Sequence, residues 1–329
     1  MAAAVTGSRF SLRRDADRGP RFAEAVRAGL SGVKKSIPPQ YFYDDLGSAL
    51  FLAICSLPEY YLTRAETEIL TTHRREIAGA LGSPVRLVEL GSGAARKTRL
   101  LLDELSAQPL EYIPIDIDVT ILQQTGRDLL AEYPNLTVSA AFCDFRRPSR
   151  VLREMVADRG RAAVLFLGST IGNLDSREAV ATLKDVRMVL SAGDPLLLGA
   201  DLRKSKALLE PAYDDALGVT AAFNRNVLLR INRELGGHFD LRRFAHRAFY
   251  DEELGRIEMH LVSLRDQSVL IDGLSIGIDF HEGETIHTEN SWKYDRAAVE
   301  SMAARSGFEL THHWTDAAGL FGEFLLVAR

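Results

Sequence analysis

The segment LVELGSG, residues 87–93, decides the fold of this chain. An apolar run that ends in a glycine turn is typical of a buried strand meeting the first turn of a helix, where the backbone approaches a ligand closely. The next apolar run ends at Asp116. An acidic residue at the tip of the second strand of such a unit accepts hydrogen bonds from a ribose. Together these features predict a pocket for an adenosine cofactor, and therefore an enzyme.

The glycine turn favours S-adenosylmethionine over a dinucleotide. Gly91 and Gly93 are followed by Ala94-Ala95-Arg96-Lys97, so the third glycine of the dinucleotide fingerprint is missing. Glu89 precedes the turn, where a carboxylate repels a pyrophosphate and suits a cation. S-adenosylmethionine carries a sulfonium and an ammonium and no phosphate. A strand-to-helix turn that binds nothing is the alternative, because short glycine motifs often match by chance.

Composition is ordinary for a soluble globular protein. The chain has 329 residues, of which 46% are hydrophobic and 26% charged. A net charge of −5 gives no basic field for nucleic acid, and no apolar run approaches the ~18 residues that span a bilayer. The two cysteines, Cys55 and Cys143, lie in apolar sequence and favour a reducing, cytoplasmic location.

From about residue 64 the sequence alternates apolar runs with helical periodicity, which predicts a doubly wound α/β domain. Two further strands near the C-terminus, separated by a short loop with Gly319, predict an antiparallel hairpin that completes the sheet. The predicted strands of the parallel part are 85–90, 112–116, 136–143, 163–168 and 195–201. A parallel sheet with one reversed strand is the usual shape of Rossmann-like (class I) methyltransferases.

Residues 204–292 interrupt this alternation after the fifth strand, where an insertion lies above the carboxyl ends of the strands. Helices are predicted at 206–216 and 219–235, followed by strands. We therefore expect an S-adenosylmethionine-binding domain formed by 64–203 plus 293–329. We expect a second, α+β substrate-binding domain formed by 1–63 plus 204–292.

Three other groups of residues contain types suited to binding a substrate. Tyrosines around prolines in 37–44 and 57–61 suggest aromatic faces for a cationic substrate, although simple packing explains any single tyrosine. Asn173 follows the fourth strand, where it could orient an amine or merely satisfy backbone donors of a helix. Glu289 and Ser291 face one side of an extended segment and could bind both nitrogens of an imidazole, or form an exposed surface pair.

These motifs resemble the histidine Nα-methyltransferases of ergothioneine biosynthesis. The resemblance implies that S-adenosylmethionine trimethylates the α-amino group of L-histidine, giving hercynine and S-adenosylhomocysteine. The methylating domain of ovothiol synthases and fungal tryptophan-type N-methyltransferases are similar too. The matching runs, which extend over nearly the whole chain, are PPQYFYDDLGSALF, LPEYYLTRAE, LVELGSG, FLGSTIGNL, YDDALGVTAAFNRNVL, RIEM and TENS.

By position, the resemblance implies that Asn173 and Tyr213 hold the substrate carboxylate. Tyr43 would lie near the α-amine and orient it, with Gly168 alongside, and Tyr60 would line the pocket. We expect Tyr43 and Asn173 to act by positioning the amine rather than as strong bases, because positioning dominates such a transfer.

The same resemblance places Glu289 and Ser291 on the imidazole, with Met259 packed against the ring. Glu289 and Met259 are the family's histidine-type residues and favour histidine over tryptophan. Asn290, between the two polar positions, departs from an apolar residue of the family pattern.

For the cofactor, Asp116 would bind the ribose, and Asp144 with Phe145 would read the adenine. The residues that match the cofactor loop are Glu89, Gly91, Gly93 and Lys97. A methyltransferase for another amino acid and a non-catalytic module that binds S-adenosylmethionine remain the alternatives. We expect no metal, because the eight histidines show no H-x-x-x-H or comparable spacing. By the same resemblance we expect a monomer.

Overall fold

The computed structural model describes residues 9–14, 21–144, 146, 149–157 and 160–329. The chain forms two compact units. The large-sheet unit comprises the described parts of Met1–Arg18, Arg64–Arg203 and Tyr294–Arg329. The small-sheet unit comprises the described parts of Gly19–Thr63 and Lys204–Lys293.

Helices and strands alternate along most of the chain. The strands are β1 (Phe10–Arg14), β2 (Lys35–Ser36), β3 (Arg86–Leu90), β4 (Leu110–Asp116), β5 (Leu136–Phe142), β6 (Ala162–Phe166), β7 (Pro195–Asp201), β8 (Phe244–Asp251), β9 (Arg256–Ser263), β10 (Gln267–Ile271), β11 (Ile276–Phe280), β12 (Thr285–Trp292), β13 (Phe308–Thr315) and β14 (Phe321–Ala328). The α-helices are α1 (Phe22–Leu30), α2 (Asp45–Ile54), α3 (Tyr61–Leu81), α4 (Thr98–Leu105), α5 (Val119–Glu132), α6 (Ser149–Met155), α7 (Ser176–Arg187), α8 (Lys206–Leu209), α9 (Val219–Leu235) and α10 (Arg296–Ser306). Across the described residues, no helix is both long and apolar enough to cross a membrane.

The large-sheet unit has the predicted α/β fold. Within the described residues its sheet has eight strands in the order β1-β5-β4-β3-β6-β7-β14-β13. In this order, each neighbouring pair from β1 through β5, β4, β3 and β6 to β7 is parallel. Strand β14 runs antiparallel to β7, and β13 runs antiparallel to β14. Apolar clusters cover both faces of this sheet, as a parallel sheet flanked by helices requires. The fold class expected from the sequence is therefore confirmed, including the terminal hairpin.

Strand β1 belongs to the large-sheet unit, whereas residues 1–63 were expected to lie wholly in the substrate-binding domain. It pairs in parallel with β5, with Phe10 opposite Val138. The Arg9 guanidinium donates to backbone carbonyls at the end of α5, among them Leu130 at 2.9 Å. The segment FSLRR was not recognised as a strand because it alternates over too few apolar residues to give a clear period.

The small-sheet unit contains a mostly antiparallel sheet and a separate hairpin. The sheet order is β2-β12-β9-β8, with β2 parallel to β12, and β10 pairs with β11. The helix expected at 206–216 ends at Leu209, because the chain continues as a 3₁₀ turn, Glu210–Ala212, that contains Pro211. The helix at 219–235 has the expected bounds, and it begins and ends at glycines in the left-handed region.

The N-terminus of α2 is anchored through Asp44. Its carboxylate accepts hydrogen bonds from the Gly47 N–H at 2.8 Å, from Asn226 Nδ2 at 2.7 Å and from the Arg233 guanidinium at 2.6 Å. Burial raises the pKa of this carboxyl, but the hydrogen bonds outweigh it and hold the pKa below its ordinary value. This anchor fixes the backbone next to Tyr43, one of the predicted site residues.

We expect Gly47→Ala to destabilise the protein by about 1–3 kcal/mol, because it forces an extra group into filled space. A Cβ on Gly47 would lie 1.7 Å from the carbonyl oxygen of Phe42, a backbone atom that cannot rotate away. Gly79→Ala is the matched control, since a Cβ there meets nothing within 4 Å and alanine favours a helix by about 0.5–1 kcal/mol. Thermal unfolding followed by circular dichroism compares the two, and an equal effect of both changes would contradict the prediction.

Candidate active site

The glycine turn after β3 has the backbone that the sequence predicted. Gly91 and Gly93 have φ of 69° and 49°, in the left-handed region that glycine adopts without strain. The Gly91 N–H donates to the carbonyl oxygen of Ile115 at 2.8 Å, which ties the turn to the end of β4. A Cβ on Gly93 would meet nothing within 4 Å, so the turn has open space in front of it. These features fit a loop that approaches a ligand.

Asp116 ends β4 beside this turn. Its carboxylate accepts the Gly93 N–H at 2.8 Å and the Asp118 N–H at 2.9 Å. Burial is the largest influence on this carboxyl and raises its pKa. Each carboxylate oxygen has a second lone pair, so the group can hold the turn and still accept from a ribose hydroxyl. Its role on the ribose stays a prediction.

Glu89 lies beneath the turn and is only 3% exposed. Its carboxylate accepts hydrogen bonds from Thr98 Oγ1 at 2.7 and 2.8 Å and from the Tyr112 hydroxyl. Burial raises the pKa of Glu89 to about 7, although these hydrogen bonds oppose the rise. In this arrangement Glu89 supports the turn from inside the protein. Direct contact with the cofactor, expected from the sequence, stays a prediction.

Lys97 belongs to a buried charge cluster that the sequence did not reveal. Its ammonium pairs with Glu66, which is 1% exposed and also accepts the Gly168 N–H at 2.6 Å. Glu323 is fully buried nearby, and burial followed by the charge of Glu66 raises its pKa well above the usual range. Glu66 lies in a helix as the last residue of the run LPEYYLTRAE, and Glu323 lies in a strand outside the matched runs. Burial is what marks both as unusual. The cluster connects the loop after β3 to the turn after β6.

Asp144 follows β5 and forms an ion pair with Arg146. The Arg146 Nε lies 3.0 Å from Asp144 Oδ1, and a terminal nitrogen lies 2.6 Å from Oδ2. The carboxylate predicted to contact the adenine therefore already has a cationic partner, and its role on the adenine stays a prediction. Phe145, predicted to accompany it, lies outside the described residues.

The turn after β6 contains Gly168 and Ser169 in the left-handed region, with φ of 74° and 55°. Asn173 ends the 3₁₀ helix Thr170–Asn173 that follows. It does not cap α7, because Asp175 accepts the first N–H groups of that helix. The alternative explanation for Asn173, a helix cap, is thus wrong.

In the small-sheet unit, aromatic rings surround Tyr43 and Tyr60. The Tyr43 ring packs edge-on against Phe51 and Phe223, with centroids 5.7 Å away in each case. Tyr60 packs edge-on against Phe51 at 6.3 Å and Tyr213 at 6.2 Å. Burial raises the pKa of Tyr60 well above its ordinary value, so its phenol stays neutral. Tyr43, Tyr60 and Tyr213, each expected at the substrate in a different role, are thus linked by ring contacts, and their roles stay predictions.

A triangle of polar side chains lies beside these rings. The Tyr213 hydroxyl and Ser291 Oγ are 2.8 Å apart, and Lys293 Nζ donates to both, at 2.8 and 2.9 Å. Lys293 is only 2% exposed. Sequence reasoning selected Tyr213 and Ser291 but missed Lys293. Its position two residues after Ser291 on an extended segment, hence on the same side, was the available signal.

Glu289 and Met259 are paired across β12 and β9. The register shifts between His287 and Glu289, where the side chain of Thr288 donates to the Met259 carbonyl at 3.0 Å. Burial raises the pKa of Glu289 to about 7, and the Lys293 ammonium opposes that rise. Glu289 thus gains or loses a proton near neutral pH, close to a fixed cation.

The mostly parallel sheet with one reversed strand, the glycine turn after β3 and the acid at the end of β4 define a class I S-adenosylmethionine-dependent methyltransferase. The family of S-adenosylmethionine-dependent, histidine-specific methyltransferases matches residues 22–328. The chain belongs to that family.

Relatives agree with this assignment. The histidine N-alpha-methyltransferase of Mycolicibacterium smegmatis is 46% identical over 92% of this chain and 93% of its own length. The enzyme of the same name from Mycobacterium tuberculosis is 44% identical over 95% and 94%. Ergothioneine biosynthesis protein 1 of Schizosaccharomyces pombe is 29% identical over 88% of this chain but only 38% of its own length.

We expect Lys293→Met to raise the pKa of Glu289 further above about 7, because the ammonium that favours the ionised carboxylate is lost. Carbon-13 NMR of side-chain carboxyls measures the titration midpoint, and the Glu289 signal is assigned by its absence in Glu289→Gln. Lys184→Met, at an exposed position of α7, is the control and should leave that signal unchanged. A midpoint that stays the same or falls in Lys293→Met would show that Lys293 does not act on Glu289.

Proposed function

We propose that this protein transfers three methyl groups from S-adenosylmethionine to the α-amino nitrogen of L-histidine, giving hercynine for ergothioneine biosynthesis. The observation that carries the proposal is the pairing of Glu289 and Ser291 with the buried Lys293 on one side of β12. Family membership supports the same substrate.

An imidazole ring offers one N–H donor and one nitrogen acceptor when it is neutral. Glu289 provides a carboxylate for the donor, and Ser291 provides a hydroxyl for the acceptor. Met259, 1% exposed and opposite Glu289, supplies an apolar surface for the ring. The pKa of Glu289, about 7, lies close to that of a free imidazole, about 6.5. A proton can therefore be shared between ring and carboxyl at neutral pH.

The other end of the amino acid is an anion and suits the polar triangle. Lys293 holds the Tyr213 hydroxyl at 2.8 Å and places a positive charge behind it. A hydroxyl supported in this way is a good donor to a carboxylate. The predicted contributions of Asn173 and Gly168 to the same substrate remain proposals.

S-adenosylmethionine supplies an electrophilic methyl group on a sulfonium, held by the glycine turn and Asp116. The nucleophile is the neutral amine, so an ammonium form must lose a proton before the first transfer. One further proton is lost with each of the first two transfers. Tyr60 keeps its own proton because of its raised pKa, so it acts by shape and not as a base. Tyr43 orients the amine within aromatic rings, which tolerate the fixed positive charge of the product by cation–π attraction.

Mass spectrometry of the purified protein with S-adenosylmethionine and a mixture of free amino acids tests the proposed function. Histidine should gain three methyl groups while S-adenosylhomocysteine accumulates. Methylation of another amino acid would overturn the assignment of the imidazole site. Binding of S-adenosylmethionine without methylation of any amino acid would overturn the enzymatic role.

We expect Glu289→Ala to raise KM for histidine about tenfold to hundredfold, because a hydrogen bond to a charged group contributes about 1.5–3 kcal/mol. The rate at saturating histidine should change less, since Glu289 binds the ring and not the reacting nitrogen. Steady-state kinetics separates the two effects. Glu282→Ala, at an exposed position before β12, is the matched control. A fall in kcat with KM unchanged would show that Glu289 has a different role.

A further inference from the structure

A second cluster of ionisable side chains lies in the small-sheet unit, on the face of its sheet opposite Met259 and Glu289. Glu258 and His260 are two residues apart on β9 and face the same side. His287 on β12 is the cross-strand partner of His260. One nitrogen from each imidazole and one carboxylate oxygen lie within 4.8 Å of one another.

The hydrogen bonds of His287 leave one of its nitrogens available as a ligand. Its Nε2 lies 3.1 Å from the carbonyl oxygen of Glu289 and 3.0 Å from Asn290 Oδ1. A backbone carbonyl only accepts, so Nε2 carries the hydrogen and Nδ1 keeps its lone pair. A histidine that binds a metal is usually held by such a bond from its other nitrogen to a carbonyl or carboxylate.

His260 directs its Nε2 at the carboxylate of Glu258. Its Nε2 lies 2.9 Å from Glu258 Oε2, while Nδ1 is buried with no hydrogen-bond partner among the described residues. An ion between Nε2 and Oε2 would take the place of the hydrogen that they share. Metal binding releases such protons from its ligands.

The surroundings hold these side chains in place. The Arg256 Nε donates to Glu258 Oε1 at 2.9 Å and leaves Oε2 for the histidine side. The guanidinium of Arg256 lies 4.9 Å from the ring of Trp292, which restrains it. The Phe249 ring stacks on His260 with centroids 5.5 Å apart and planes 14° apart. A site whose ligands are held by a surrounding shell needs little rearrangement to bind an ion.

We propose that Glu258, His260 and His287 bind a divalent transition-metal ion of the zinc class and so connect β9 to β12. Two imidazoles and one carboxylate form a common ligand set for such ions, with water in the remaining position. Magnesium and calcium prefer oxygen ligands, and the neighbouring cations Arg256 and Arg247 further disfavour ions that bind mainly by charge. The ligands face away from Met259 and Glu289, so the ion takes no part in methyl transfer.

Cobalt(II) is the first probe, because its visible absorption reports nitrogen ligation directly. Metal-free wild-type protein should bind one cobalt ion per chain, and zinc should displace it. His260→Gln and His287→Ala should each weaken binding by about tenfold or more. His281→Ala, whose side chain is 88% exposed in the same unit, should leave the affinity unchanged.

Failure of wild-type protein to bind cobalt, or equal binding by wild type and both histidine variants, would overturn the proposal. Circular dichroism checks that the variants fold, and the conservative Glu258→Gln gives a third variant with the same expected loss. Thermal unfolding of wild-type protein provides a readout that needs no variant. Zinc should raise Tm and a chelator should reverse the rise, whereas an unchanged Tm would count against the site.

Discussion

The register shift in β12 at Thr288 is the constraint on which the chemistry of the small-sheet unit depends. Residues two apart on a regular strand face the same side, but here His287 pairs with His260 while Glu289 pairs with Met259, its neighbour. The hydrogen bond from Thr288 to the Met259 carbonyl fixes the irregularity. One extra residue therefore sends Glu289 to the proposed substrate side and His287 to the opposite face.

Much of the large-sheet unit could be predicted because its strands are buried on both faces and appear as continuous apolar runs. Strand β6, Ala-Ala-Val-Leu-Phe, is fully buried along its length. Strands β8 and β12 carry polar residues on a partly exposed face, so β8 was not predicted and β12 was treated only as an extended segment. Strand β1 was not predicted, because it is an edge strand that forms by pairing with β5, and its own short sequence gives no clear strand pattern.

The predicted site residues came from motifs, and the residues that were missed are buried charges. Lys293, Glu66 and Glu323 are each nearly or fully buried, and two of them pair with predicted residues. A sequence does not reveal burial of a lysine or glutamate, because these residues are normally exposed. The proposed metal ligands were missed for a related reason. They are two and 27 residues apart in sequence, and only strand pairing brings them together.

In the proposed function, selectivity for histidine depends on the free-energy cost of binding a side chain that lacks the two imidazole nitrogens. An apolar surface such as Met259 discriminates only weakly between substrates, because one extra methylene group changes the free energy of binding by only ~1–3 kcal/mol. A ring that cannot both donate and accept a hydrogen bond leaves Glu289 or Ser291 desolvated and without a partner. This desolvation weakens the binding of the wrong substrate. Lys293 strengthens this discrimination, because it donates a hydrogen bond to Ser291 and opposes the burial that raises the pKa of Glu289 to about 7. Recognition of the imidazole thus follows from the same buried lysine that orders the pocket.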